Sequence, residues 1–301
     1  MKNPRDSRRF LRPEIVSRIS RMDLVARLVV EGFITGLHRS PYHGFSVEFS
    51  ELRPYLPGEA TRHIDWKLWG RTDRYYVKRY EEETNLKAYL LLDASASMGF
   101  SSGSVTKLYY AQVLAASLAF LMLRQRDAVG LVTFDEKIRA FLPPRSVPSY
   151  LHVLLAEMEK TAPSGETGIA DLFHRLAERL KRRGLVVIFS DLLDDPDAVL
   201  AALKHFRHQK HEVIVFHILD PLENSLDFRS DTLFVDAETG ERLHADPRSL
   251  GDTYRDSMRR FSERIRRECR AADIDYAAIE TSQPFDAALF QYLTRRKRMG
   301  G

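Results

Sequence analysis

The sequence has little cysteine and no long apolar run, and these absences exclude several classes of protein. Cys269 is the single cysteine among 301 residues, so an intramolecular disulfide is impossible and a reducing compartment fits best. The longest apolar segment, Tyr109–Leu123, is shorter than the roughly 20 residues that a transmembrane helix needs. Residues 1–14 contain no apolar core of a secretory signal. We therefore expect a cytoplasmic protein without a membrane span.

The sequence also lacks the motifs of common cofactor sites. No cysteine cluster is available for zinc, and no glycine-rich Walker loop is present for a nucleotide phosphate. The net charge of +4 is mild, because 42 acidic residues nearly balance 46 basic ones. The basic excess lies near the ends of the chain, in RDSRRFLR and RRKRMGG. Such tails attract polyanions weakly, and we favour solvated tails over a nucleic-acid site.

From residue 86 onward, short apolar runs alternate with helical patterns. Strands that alternate with helices form βαβ units with right-handed crossovers. The sequence therefore predicts a doubly wound, mostly parallel α/β sheet of the Rossmann type. The predicted strands are Leu86–Leu92, Ala128–Phe134, Ile138–Leu142, Leu185–Phe189, Val213–Ile218 and Asp275–Ile279. The predicted helices are Lys107–Leu123, Ser149–Thr161, Gly168–Arg182, Asp197–His208 and Pro247–Ala272.

Other segments precede or interrupt this alternation. Residues 1–85 mix aromatic and basic residues, and we expect an α+β extension that packs on a main domain at residues 86–296. Residues 231–246 are typical of an inserted β-hairpin that turns at Thr239–Gly240, and residues 297–301 form a basic tail. The extension is predicted to contain a hairpin near Phe45–Tyr55, a helix at Thr61–Trp69 and a strand at Tyr75–Tyr80.

Two predicted strands end in carboxylates and hydroxyls. The apolar run LLL ends in Asp93, Ser95 and Ser97, with only alanines between them. A later apolar run, LVVIF, ends in a serine followed by Asp191. In open α/β sheets, ligands bind beyond the carboxyl ends of the strands, where the strand order reverses. If the order is the common 3-2-1-4-5-6, Asp93 and Asp191 face each other at that point.

This combination of side chains favours a hard divalent cation. Two facing carboxylates repel each other unless a cation compensates their charge. Mg²⁺ takes about six oxygen ligands in octahedral geometry. Ser95 and Ser97 can aim both hydroxyls at one point, and Thr167 in PSGETGIADLF offers a third hydroxyl at the start of a predicted helix. The sequence therefore predicts a site for Mg²⁺ or Mn²⁺.

The pattern resembles the metal-ion-dependent adhesion site of von Willebrand factor A domains. That site consists of Asp-x-Ser-x-Ser after the first strand, a threonine in a later loop and an aspartate after the fourth strand. By position, the resemblance assigns the metal site to Asp93, Ser95, Ser97, Thr167 and Asp191. It implies that the hydroxyls contact the metal directly, that the aspartates act largely through water, and that one coordination position is open to a partner's carboxylate.

A longer stretch narrows the resemblance. YLPGEATRHIDWKLWGRTDRYYVKRYEEE, directly upstream of LLLDASASM, resembles the signature of domain of unknown function family 58, a bacterial von Willebrand A-like group. The likeness covers nearly all of residues 30–220. It implies an adaptor or chaperone-like role beside MoxR-type AAA+ ATPases. Two positions depart from the broad superfamily, because Glu166 stands where a second glycine is usual and Leu192 stands where glycine follows the aspartate.

The leading hypothesis is a non-enzymatic, metal-dependent module that binds an acidic side chain of a partner, either a MoxR-type ATPase or its client. Glu166, Arg71 and Arg74 are the candidate partner contacts. One alternative is a Mg²⁺-dependent phosphohydrolase with Asp93 as the nucleophile. Phosphohydrolases of the haloacid dehalogenase type place a second aspartate two residues later, where this sequence has Ser95. A second alternative is nucleic-acid binding through the basic tails.

Overall fold

Parallel pairing of buried apolar strands builds the core of this protein. The computed structural model describes residues 12–38, 52–54, 69–70, 75–78, 86–166, 168–227, 232–286 and 289. The strands are β1 (Leu52–Pro54), β2 (Tyr76–Lys78), β3 (Lys87–Asp93), β4 (Ala128–Phe134), β5 (Ile138–Arg145), β6 (Leu185–Ser190), β7 (Glu212–Leu219), β8 (Thr232–Val235), β9 (Arg242–Ala245) and β10 (Asp275–Glu280). The helices are α1 (Pro13–Val16), α2 (Met22–His38), α3 (Lys107–Arg124), α4 (Tyr150–Lys160), α5 (Ile169–Arg179), α6 (Pro196–His208), α7 (Pro221–Ser225) and α8 (Pro247–Ala271). A 3₁₀ turn spans Ala96–Gly99.

The large sheet has six strands in the order β10-β7-β6-β3-β4-β5. Neighbours in this sheet run parallel except β5, which pairs antiparallel with β4 at one edge. Counted along the chain, the order is 3-2-1-4-5-6, which is the order on which the predicted site depends. The predicted doubly wound, mostly parallel α/β fold is therefore confirmed, and all six predicted strands are present.

The central strands are covered by helices on both faces. Every residue of β6 is buried, and so is every residue of β3 after Lys87. Continuous apolar runs of this kind are typical of parallel strands that face the core on both sides. Helix α3 packs across β3, β4, β6 and β7 and is buried nearly all round, which explains its apolar composition. In the part of the chain that the structure describes, no helix is long and apolar enough to cross a bilayer.

Helices α5, α6 and α8 bury their apolar stripes in one hydrophobic core cluster with the sheet. Phe173 of α5 packs edge-to-face against Phe134 of β4, with ring centroids 5.4 Å apart, and against Phe206 of α6 at 5.8 Å. Cys269 of α8 is buried in the same cluster, and burial raises the pKa of its thiol to about 12. The cysteine is therefore a core residue, as the helical spacing indicates.

Helix α2 was missed in the sequence analysis, which treated residues 1–85 as one extension. Its buried side chains recur at the spacing i, i+3, i+4, i+7 and i+8, which is typical of an amphipathic helix. They are Met22, Val25, Ala26, Val29 and Val30. The Met22 N–H donates to Glu159 Oε1 of α4 at 3.3 Å, so the start of α2 lies beside that helix.

The chain divides into two compact units. The described residues of 1–33 and 86–301 form one, and those of 34–85 form the other. In the smaller unit, β1 pairs antiparallel with β2, and the rings of Trp69 and Tyr75 stack 5.9 Å apart. Most of the predicted Phe45–Tyr55 hairpin and Thr61–Trp69 helix lies outside the described residues. The domain division at residue 85 stays a prediction.

The inserted hairpin is confirmed. Strands β8 and β9 pair antiparallel, with Thr232 opposite Ala245 and Val235 opposite Arg242. Gly240 in the turn has a φ of +73°, a left-handed conformation that glycine adopts without steric cost. The Gly240 N–H donates to the Asp236 carbonyl at 3.0 Å, which closes the turn.

Candidate functional site

The polar ends of β3 and β6 meet at the carboxyl edge of the sheet. Leu92 pairs with Phe189, which brings the next residues, Asp93 and Ser190, side by side. Ser190 Oγ donates to Asp93 Oδ2 at 2.6 Å, and the Ser95 N–H donates to Asp93 Oδ1 at 2.9 Å. Asp93 is fully buried, and both of its carboxylate oxygens accept hydrogen bonds.

The two serines of the motif lie in contact. Ser95 Oγ and Ser97 Oγ are 3.1 Å apart at the start of the 3₁₀ turn. Ser97 also lies near Asp191, which follows β6, and its hydroxyl helps to lower the pKa of that carboxyl. The structure thus brings together four of the five predicted ligands. We call Asp93, Ser95, Ser97 and Asp191 the oxygen cluster.

A buried lysine that the sequence analysis did not identify completes the site. Lys107 Nζ donates to Asp191 Oδ2 at 2.7 Å and to Glu223 Oε1 at 2.7 Å. The side chains of Lys107 and Asp191 are 0% exposed, and that of Glu223 is 20% exposed. Lys107 is the first residue of α3, where the helix dipole disfavours a cation. The sequence signal for this contact is a lysine at the start of a largely apolar helix. No feature of the sequence indicates that Glu223 is its partner.

These charges set the protonation of the two aspartates. Burial opposes ionisation of Asp191, but the Lys107 ammonium and hydrogen bonds from Lys107 and Ser97 outweigh it, so the pKa of Asp191 lies below its ordinary value. Burial and the charge of Asp191 raise the pKa of Asp93 to about 7. When Asp93, Asp191 and Glu223 are ionised and Lys107 is protonated, the site carries a net charge of −2.

The donor set fits a hard divalent cation. Carboxylate and hydroxyl oxygens are the ligands that Mg²⁺ and Mn²⁺ prefer. Adjacent ligand oxygens in an octahedron around Mg²⁺ lie about 3.0 Å apart, given metal–oxygen distances of about 2.1 Å. The 3.1 Å separation of the Ser95 and Ser97 hydroxyls is close to this value. Among the described residues, no group of three His, Cys, Asp or Glu side chains could hold a metal ion, so a site here depends on the hydroxyls.

The loop that precedes Thr167 is fastened to the loop after β3. The Ser164 N–H donates to the Ala94 carbonyl, and the Ala96 N–H donates to the Gly165 carbonyl, each at 3.0 Å. Two backbone hydrogen bonds therefore hold residues 164 and 165 against the oxygen cluster. Thr167, the fifth predicted ligand, lies outside the described residues.

An arginine also braces this loop. Arg139 Nε donates to Asp135 Oδ2 at 2.7 Å, Nη1 donates to the Ala162 carbonyl at 2.7 Å, and Nη2 donates to both oxygens of Ser164. Gly165 has a φ of +77°, and a Cβ at this position would lie 2.8 Å from Asp135 Oδ2. Position 165 therefore requires glycine for its backbone conformation and for the close approach of Asp135.

The loop after β6 caps two helices. Asp194 Oδ2 accepts the N–H groups of Ile169 at 3.0 Å and Ala170 at 3.4 Å, at the start of α5. Asp195 Oδ2 accepts the Ala198 N–H at 3.0 Å and caps α6. Carboxylates at helix N-termini satisfy free N–H groups and suit the helix dipole. The loops that follow β3, α4 and β6 are thus tied together around the oxygen cluster.

Leu192 adopts a left-handed backbone conformation. Its φ is +54°, and its side chain is fully buried in the core. The Leu192 N–H donates to Ser190 Oγ at 2.9 Å, and the Leu193 N–H donates to Asp191 Oδ1 at 3.3 Å. The left-handed turn therefore presents two backbone N–H groups to the site, and it leaves the Leu193 side chain 42% exposed beside it.

Of the three predicted partner contacts, Glu166 alone lies within the described residues. Glu166 is exposed, one residue before Thr167. Arg71 and Arg74 lie outside the described residues, and so do the basic tail at 297–301 and the basic segment at 5–11.

Comparison with known proteins gives a family match and distant relatives. The family model described as Protein of unknown function DUF58 matches residues 51–267. The uncharacterized protein Rv1480 of Mycobacterium tuberculosis H37Rv is 25% identical over 296 residues, which cover 95% of this chain and 91% of that protein. The uncharacterized protein MAV169 of Mycobacterium avium is 27% identical over 166 residues, 52% of this chain and 94% of that protein.

Solved structures show more remote similarity. The conserved hypothetical protein BatB from Bacteroides thetaiotaomicron is similar with a TM-score of 0.47 and 16% identity, over 71% of this chain and 99% of that one. The SpRpn10 VWA domain is similar with a TM-score of 0.36 and 14% identity, over 68% of this chain and 94% of that one. Similarity at this level carries no information about function.

Proposed function

This chain belongs to the DUF58 family of proteins of unknown function, and from that premise we propose that it is a non-enzymatic module that binds a partner protein through a divalent cation. The observation that supports the proposal is the convergence of the oxygen cluster at the carboxyl edge of the sheet, where doubly wound folds bind ligands. With Asp93, Asp191 and Glu223 ionised and Lys107 protonated, the net charge of −2 is that which a divalent cation neutralises.

The residues have distinct roles in this proposal. Ser95, which is buried, and Ser97, which is half-buried, offer adjacent hydroxyl oxygens, while Asp93 and Asp191 provide the compensating negative charge. Thr167 joins them by the resemblance to the metal-ion-dependent adhesion site. When bound, Mg²⁺ or Mn²⁺ would supply a positive charge with an open coordination position for a carboxylate. Because the cation removes the repulsion between the cluster and an incoming acid, metal and partner should bind with positive coupling.

The partner in this proposal offers an acidic side chain. The resemblance to domain of unknown function family 58 favours a MoxR-type AAA+ ATPase or its client as that partner. We propose a cytoplasmic interaction, since a chain with one buried cysteine suits a reducing compartment. Glu166, Arg71 and Arg74 are the proposed further contacts around the cation.

A phosphohydrolase is a weaker fit to the same residues. A nucleophilic carboxylate must reach its substrate, but Asp93 is fully buried and both of its oxygens accept hydrogen bonds. Ser95 stands where the second aspartate of haloacid dehalogenase-like enzymes would act. These two features favour a binding role over catalysis.

The test begins with the metal. Titration of the metal-free protein with Mn²⁺, followed by electron paramagnetic resonance, should give saturable binding that excess Mg²⁺ displaces. Ser97→Ala should abolish it without changing the far-ultraviolet circular dichroism, while Ser257→Ala, an exposed serine of α8, should bind as the wild type does.

The second stage measures the partner. Purified MoxR-type ATPase should be retained by immobilised wild-type protein in Mg²⁺ and released in EDTA, and Ser97→Ala should retain none. Equal retention in Mg²⁺ and EDTA, or by wild type and Ser97→Ala, would contradict the metal-dependent mechanism.

A further inference from the structure

Lys107 and Glu223 lie in the site but belong to none of the roles described so far. Lys107 is completely buried at the first position of α3, where neither solvation nor the helix dipole favours an ammonium group. Its two carboxylate partners, each 2.7 Å away, are therefore what stabilise it. One of them is Asp191 of the oxygen cluster, and the other comes from α7.

Glu223 is itself held in place. The Asp220 N–H donates to Glu223 Oε2 at 3.4 Å, while the other oxygen of Glu223 accepts the Lys107 ammonium. Asp220 is buried and accepts the Leu222 N–H at 2.8 Å and the Ser102 N–H at 2.9 Å. The short helix α7 thus begins with a capping box that fixes the glutamate.

The charges of this pair cancel. A lysine beside Asp191 would by itself remove one of the two negative charges of Asp93 and Asp191 and so weaken attraction for a cation. Glu223 restores that charge, because Lys107 and Glu223 together are neutral. The pair therefore leaves the ionised cluster at −2. Its remaining effect on the site is geometric, because Asp191 Oδ2 accepts a hydrogen bond from a fully buried ammonium.

We propose that Lys107 and Glu223 are positioning residues of the metal site. Lys107 holds Asp191 in one orientation beside the hydroxyl of Ser97, and Glu223 cancels the charge of the ammonium, so that this hold does not reduce the attraction for a cation. The inference rests on the proposed function, since it concerns the same metal site.

The experiment compares variants that keep the net charge. Lys107→Met with Glu223→Gln removes one positive and one negative charge, so the cluster stays at −2 but loses its hold on Asp191. The matched control is Lys204→Met with Glu268→Gln, the same pair of substitutions in a salt bridge of 3.1 Å at the surface between α6 and α8. Glu223→Gln alone keeps the contact of Lys107 with Asp191 and leaves the ammonium charge uncompensated.

Two quantities are measured for each variant: the Mn²⁺ dissociation constant by electron paramagnetic resonance, and the urea unfolding midpoint in EDTA. The double variant at Lys107 and Glu223 should bind Mn²⁺ about 10–100-fold more weakly than the wild type, as is usual when a partner of a metal ligand is removed. Glu223→Gln should also weaken binding, and the control double variant should bind like the wild type. A merely structural pair would change the unfolding midpoint but not the dissociation constant of the folded protein.

The outcomes separate this inference from the proposed function. If the wild type binds Mn²⁺ and the double variant binds it with the same dissociation constant, the positioning role is wrong, while the proposed function is unaffected. If the double variant does not fold, Glu223→Gln decides, because equal or tighter Mn²⁺ binding by this variant also overturns the inference. A wild type that binds no Mn²⁺ overturns both, whereas metal binding without partner retention overturns only the proposed function.

Discussion

Replacement of Asp93 by asparagine should change how the stability of the metal-free protein depends on pH. The pKa of Asp93 rises from the ordinary aspartate value of 3.8 to about 7 in the folded protein, because of burial and the charge of Asp191. Between these values the folded state keeps a proton that the unfolded state has released. The free energy of unfolding therefore falls as the pH rises from about 4 to about 7, and it is constant above that range.

The size of this effect follows from the shift. A shift of about 3 pH units at 1.36 kcal/mol per unit corresponds to about 4 kcal/mol, of which about 3 kcal/mol is lost between pH 5 and pH 8. An asparagine side chain is neutral at every pH, so this contribution should be absent from Asp93→Asn. A bound divalent cation favours the ionised form, so saturating Mg²⁺ should reduce the slope of the wild type.

Urea unfolding in EDTA at pH 5 and pH 8 measures the difference directly. The wild type should lose about 3 kcal/mol more than Asp93→Asn between the two pH values. Asp171→Asn, an exposed carboxylate of α5, is the control and should follow the wild type. If wild type and Asp93→Asn lose stability in parallel, the raised pKa of Asp93 is refuted.

Three further substitutions test the loops around the site. Arg139→Ala removes the ion-pair partner of the nearly buried Asp135 carboxylate. Urea unfolding should show that the free energy of unfolding falls by about 3 kcal/mol. The control Arg175→Ala removes an exposed side chain and should change this free energy little. Leu192→Gly relieves the strain of a left-handed backbone, about 1 kcal/mol, but it also removes a buried leucine side chain, which costs about 3 kcal/mol. The thermal unfolding midpoint should therefore fall. A higher midpoint would show that the backbone strain is the larger effect. Gly165→Ala forces Asp135 away and should weaken Mn²⁺ binding, and an unchanged dissociation constant would mean that this loop does not position the ligands.

The strands could be predicted because their signals are local. The runs LLLD and LVVIFSD are apolar over several consecutive residues and end abruptly in polar ones, as buried parallel strands do. The pairing of β3 with β6 joins segments far apart in the chain. It could therefore be predicted only by assuming a particular strand order. The condition is met in the structure, and Asp93 comes to lie beside Ser190.

The lysine and glutamate of the site could not be predicted for the same reason. Lys107 is separated by 84 residues from Asp191 and by 116 from Glu223, so no sequence window contains two members of the contact. Helix α2 is a different case, because its apolar spacing is visible in the sequence. Because it lies among basic and aromatic residues, the sequence analysis includes it in the α+β extension without a helix of its own.

These long separations have a consequence for how the chain matures. While the protein emerges from the ribosome, the ammonium of Lys107 has neither of its acids until Asp191 and then Glu223 have been synthesised. Contacts this distant close slowly, because the intervening chain must lose much of its freedom first. A fragment that ends before α7 leaves the ammonium of Lys107 with one of its two carboxylates and also lacks α8 and the strand β10, so trimming the chain after β7 should give a misfolded product and not a smaller binding domain.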